Sequence, residues 1–137
     1  MAYVYDVAQR NTDREPVNTD TASPDMIELS GTSPFIAAKT LNMPELIKTA
    51  FDTAPLGVLF GVPHRSRVYL HRVGKSTVDA MQILPVLILT NAREEPDSWV
   101  SQHTYYWNGV THRVTSFGPN GPKVTVDGAF ADALKRA

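Results

Sequence analysis

The chain has no cysteine. Disulfides, thiolate zinc sites, iron–sulfur clusters and a cysteine nucleophile are therefore excluded. It has almost no charge imbalance, with a formal net charge of −1. No general field draws it to nucleic acid or to an anionic membrane. It lacks a long apolar run: Ile83 to Leu89 is far too short to span a bilayer. The opening Met-Ala-Tyr-Val-Tyr-Asp has no basic region followed by an apolar core, so no signal peptide is expected. A cytoplasmic protein of bacterial or phage origin, or one built into a particle assembled in the cytoplasm, is the expectation.

What is present suits one globular unit. A chain of 137 residues with 42% hydrophobic and 20% charged residues can close a core without metal or disulfide. Residues 1–32 hold a largely polar stretch, Gln9 to Pro24, with no helical or strand period. They read as an extended N-terminal arm, suited to ordering against a neighbouring subunit. Residues 33–137 read as a single α+β domain.

Within that domain, Ser33-Pro34 suits a helix start, because the hydroxyl caps and proline has no N–H to lose. A short helix to Leu41 is expected, then a second from Pro44 to Phe51, closed by Thr53-Ala54-Pro55. The apolar run Leu56–Val62 and the alternating Arg67–Val73 flank a polar turn, giving a first hairpin. Ser76 is placed to cap a helix over Val78–Asn91, with Asp79 in the capping-box position. Pro85 should kink that helix or split it. Asn108-Gly109 marks a second hairpin with a two-residue turn. That turn would pair Trp107 with Val110, Tyr105 with His112 and His103 with Val114, all on one face. Lys123–Val126 adds a last strand, and Ala129–Arg136 a last helix. The sum is a mostly antiparallel sheet of about five strands built from two hairpins, with three to four helices.

The segment Gly61-Val62-Pro63-His64-Arg65-Ser66-Arg67-Val68 resembles a motif of an uncharacterised bacterial family. In that family a strand ends in Val-Pro-His, a polar turn follows, and a second apolar strand returns. Ser33-Pro34-Phe35-Ile36-Ala37-Ala38 is similar to actinobacterial members. The resemblance covers residues 33–117 and implies a fold, not an activity.

No phosphate-binding loop, dinucleotide fingerprint or nucleophile elbow occurs in the sequence. Ser33 and Ser76 are explained as caps, and Glu94-Glu95 as a solvated turn. No cofactor is expected. Three surfaces remain as candidates. Tyr69, Tyr105, Tyr106 and Trp107 place large amphipathic side chains on hairpins, where they suit a protein partner or a second copy of the chain. His64, Arg65, Arg67, His71 and Arg72 form a basic strip on the first hairpin's outer face that could hold nucleic acid, though the balanced charge opposes it. His103 and His112, diagonal on one sheet face and roughly 7–8 Å apart, could line with Tyr105 the pocket of a small enzyme or ligand-binding domain, or hold a metal with His64 or Asp97 as third ligand. The absence of tight His-x-His spacing argues against the metal. A non-catalytic interaction or assembly protein is the leading expectation.

Overall fold

A computed structural model describes residues 18–23, 25–31, 36–94 and 100–137. Ser33, Pro34, Phe35, Glu95 and Asp97 lie outside the described residues, as do residues 1–17. Among the described residues, six strands form one antiparallel sheet in the order β1-β2-β4-β3-β5-β6. They are β1 (Asn18–Ser23), β2 (Met26–Ser30), β3 (Val58–His64), β4 (Arg67–Arg72), β5 (Thr104–Trp107) and β6 (Thr111–Arg113). A separate pair, β7 (Thr115–Gly118) and β8 (Gly121–Val124), stands beside it. A 3₁₀ helix (Ile36–Asn42) precedes α1 (Met43–Phe51); α2 (Thr77–Glu94) and α3 (Gly128–Arg136) follow. The described residues form a single α+β domain, as the sequence pattern implies.

Both faces of the sheet are covered. On one face Ile36, Met43, Leu46 and Ile47, from the 3₁₀ helix and α1, pack against Ile27, Leu29, Val58, Phe60, Val68 and Leu70. On the other, Leu84 and Ile88 of α2 and Phe130 of α3 pack against Leu59, Tyr69 and Tyr106. A strand with helices on both sides cannot afford a polar face, and all seven residues of β3 are buried. Gly61 marks the closest approach: a Cβ there would lie 2.0 Å from Ile88 Cδ1. The bare backbone lets α2 settle directly onto β3.

Local chemistry explains the helices. Pro44 and Glu45 sit in the first turn of α1 and Lys48 in its last, each matched to the free backbone groups and dipole at its end. The helix stops where Asp52 turns to φ 68° and donates its N–H to Lys48 O. α2 runs unbroken through Pro85, which is buried. Packing of its flanking Leu84 and Ile88 offsets the hydrogen bond that proline forfeits.

Several expectations are corrected. Residues 18–23 and 26–30, read as part of an arm, form two strands of the sheet, and β2 pairs along its length with β4. Ile27 and Leu29 are core residues. The Ser76 hydroxyl donates to Asp25 Oδ2 rather than capping α2. Thr77 holds that end instead: its Oγ1 accepts the Gly74 N–H at 2.8 Å. The expected meander is divided, because β7 and β8 leave the main sheet at Val114.

Candidate interaction face

β5 positions the candidate residues. It pairs with β3 on one side, with Phe60 opposite Tyr105 and Val58 opposite Trp107. Its free side takes β6, a strand of only three residues, all exposed. The turn between them is one residue longer than the two-residue form. Tyr105 pairs with Arg113, Tyr106 with His112 and Trp107 with Thr111, leaving Asn108, Gly109 and Val110 in the loop. Gly109 takes φ 113°, a backbone region that L side chains rarely adopt.

That one residue reverses the expected faces, since strand side chains alternate. His103, Tyr105 and Trp107 share one face of β5. Tyr106 shares the other with His112, their rings 6.1 Å apart. His103 and His112 therefore stand on opposite sides of the sheet and cannot converge on a metal or line one pocket with Tyr105. Among the described residues no three His, Asp or Glu side chains come close enough to hold a metal ion.

On the first face the aromatics form a row. Tyr105 stacks on Phe60, with centroids 5.5 Å apart at 28°. His103 meets Tyr105 edge-on at 6.3 Å, and Phe117 of β7 lies 4.7 Å from His103. Hydrogen bonds fix the row. The Tyr105 hydroxyl lies 2.7 Å from Ser101 Oγ, which also accepts the His103 N–H. His103 Nδ1 lies 3.1 Å from Thr115 Oγ1, and the Thr104 N–H donates to that same oxygen. Burial, and then the positive charge of Arg113, push the His103 imidazole below its ordinary range, which favours its neutral form. Tyr105 and Trp107 reach only the margin of the core and stay half-buried, while Phe117 is 42% exposed. The result is a firm aromatic surface with Arg113 beside it.

The other nominated residues fare differently. Tyr69 and Tyr106 are 5% and 2% exposed and belong to the core. The Tyr69 hydroxyl accepts from Asn91 Nδ2 at 3.0 Å, and Tyr106 donates to Leu56 O at 2.6 Å. They offer no contact surface as interface residues. The basic strip is not a solvent-facing strip either, because β4 is a central strand. His64 and His71 are buried; Arg65 is exposed. Arg67 lies 3.2 Å from Glu28 Oε1 and donates to Asn91 Oδ1. Arg72 grips Asp25 Oδ1 through Nε and Nη2, and its guanidinium lies 5.5 Å over the Phe51 ring. Two of the three arginines are thus committed within the fold, and the nucleic-acid reading loses its row of cations.

Sequence reasoning missed Asp25, Thr77 and Asn91. Asp25 and Asn91 join elements distant in sequence: Asp25 and Arg72 are 47 residues apart, Tyr69 and Asn91 22, while Thr77 meets His71 six residues before it. No local pattern announces such pairs. Phe117 was also missed, although it sits one residue before a clear Gly-Pro-Asn-Gly turn. No helix among the described residues is long and apolar enough to cross a membrane. No protein-family model, curated protein or solved structure matches the chain. The Val-Pro-His turn therefore carries no family assignment.

Proposed function

We propose that this chain is a non-catalytic protein–protein interaction or assembly protein, working through the aromatic face of β5. The carrying observation is the row Phe117–His103–Tyr105, held by Ser101 and Thr115 and left half-open beside Arg113. Tyrosine, tryptophan and arginine are enriched among the few residues that dominate interface energy, since each combines apolar area with a polar end. A pre-ordered row loses little side-chain entropy when a partner covers it. A second copy of the chain, or another component of a bacterial or phage particle assembled in the cytoplasm, is the proposed occupant. No cofactor enters this reading.

The test is sedimentation velocity of the purified protein from about 1 to about 100 μM, alone and with candidate neighbours from its own operon or particle. Association that is lost in Phe117→Ser and Tyr105→Ser supports the proposal. Association that both variants leave intact overturns the assignment to this face.

A further inference from the structure

At the end of the sheet, away from His103, lies a cleft of about 370 Å³. Three elements build it. The loop entering β3 gives Pro55 and Leu56, the end of β5 gives Trp107 and Asn108, and α3 gives Asp132 and Arg136. Its shape depends on Gly57, which takes φ 87° and sits so close that a Cβ would lie 2.4 Å from Trp107 O. Tyr106, whose hydroxyl is tied to Leu56 O, also lines it. Alanines 129 and 133 keep the α3 wall low.

The charges here are informative. Asp132 and Arg136 are four residues apart, on one side of α3 with Cβ atoms about 6 Å apart. That order favours an intrahelical ion pair, yet among the described residues neither makes an ion pair or a side-chain hydrogen bond. Both line the cleft instead. Arg136 also lies near enough to oppose the burial that raises the Tyr106 hydroxyl. An opposite pair at the rim of a partly apolar cleft matches a ligand carrying both charges. The volume lies near the lower end of small-molecule sites, so the ligand is small.

We propose that this cleft binds a small zwitterion with an apolar body, the chemistry of a free apolar amino acid. Arg136 takes the carboxylate, Asp132 the ammonium, and Pro55, Leu56 and Trp107 the side chain. This site is independent of the protein-interaction reading, apart from the shared Trp107.

The test is calorimetric titration, with the Trp107 indole N–H followed by NMR, using three probes. L-phenylalanine carries both charges, phenethylamine only the cation, and 3-phenylpropanoate only the anion. Expected is L-phenylalanine binding with a Kd of about 1 mM or tighter, and each single-charge analogue about tenfold weaker. Arg136→Gln should weaken L-phenylalanine by about tenfold while leaving phenethylamine unchanged, and Asp132→Asn should do the converse with 3-phenylpropanoate. Both positions are exposed, so both variants should keep their fold, which their far-UV spectra and melting would verify. Absence of saturable binding by all three probes overturns the proposal. Equal binding of L-phenylalanine and either analogue, or affinity that survives both substitutions, also overturns it.

Discussion

His71 Nε2 lies 2.9 Å from Thr77 Oγ1, joining the end of β4 to the first turn of α2. The same hydroxyl oxygen accepts the Gly74 N–H, so one threonine closes the connection between sheet and helix. His71 is 1% exposed, and beyond Thr77 the group nearest its charge is Asp25. Burial holds the imidazole below its ordinary pKa of 6.5, and Arg72 adds to that; Asp25 pulls the other way.

A pH dependence follows from this geometry. In the unfolded chain His71 gains a proton as pH falls past about 6.5, while in the folded chain it resists. The unfolded state then binds more protons, so stability falls as pH drops below that value. His103 is lowered too and contributes with the same sign. Urea midpoints should be lower at pH 5.5 than at pH 7.5, and the difference should shrink in His71→Leu and shrink further when His103→Gln is added. A midpoint independent of pH across this range contradicts it. Asp25 acts in a separate, more acidic window. Arg72 holds its carboxyl below 3.8, so that contribution is present above 3.8 and is lost as pH falls below it.

Thr77→Val keeps the shape and removes the hydroxyl. It leaves the Gly74 N–H and His71 Nε2 without their partner, which should cost about 1–3 kcal/mol. Equilibrium urea unfolding would measure it. Thr77→Ser, which restores the oxygen, should recover most of the loss.

Gly61→Ala should be among the most damaging single-methyl changes in the chain. The new Cβ would meet Ile88 Cδ1 at 2.0 Å and Cγ1 at 2.5 Å. Overpacking of this kind costs about 1–3 kcal/mol. Ile88→Ala alone should cost about 2–5 kcal/mol by opening a cavity. The double variant should be more stable than the sum of the two losses, because the added methyl enters the space that the isoleucine vacates. Additive losses in a double-mutant cycle would show that α2 does not rest on Gly61.

Tyr106→Phe isolates one hydrogen bond. The hydroxyl donates to Leu56 O at 2.6 Å from within the core. Removing it should destabilise the fold by about 1–3 kcal/mol while leaving the ring's contact with Phe130, at 5.2 Å, in place. Amide exchange of the strand residues flanking Gly57 should quicken selectively.

Much of the fold could be read before the structure. The Leu56–Val62 run, the Pro44 helix start and the Asn-Gly turn are local signals, and each element formed where its residues indicate. β2 carried a signal that its surroundings hid: Ile27 and Leu29 alternate with Glu28 and Ser30, but Pro24 and the polar stretch before it dominate the pattern. The faces of β4 misled for a different reason. Arg67, Tyr69 and His71 alternate with apolar residues as an outer face would. In the fold they lie under α2, where Asn91 bonds Arg67 and Tyr69, Thr77 meets His71 Nε2, and Glu28 on β2 pairs with Arg67. Long-range partners decide whether an alternating strand is half-solvated or covered on both sides, and they are invisible to a local pattern. The candidate face suffered from a single-residue error: a three-residue loop in place of two moved His112 away from His103 and Tyr105.

The most direct measurement is the mass of the native complex by light scattering, on protein recovered from its own cells at native abundance. A single chain is 15.1 kDa. The interaction reading predicts a larger particle of fixed protein stoichiometry for the wild type, and a return to 15.1 kDa for Phe117→Ser with Tyr105→Ser. A wild-type chain that elutes at 15.1 kDa with no other protein would contradict it.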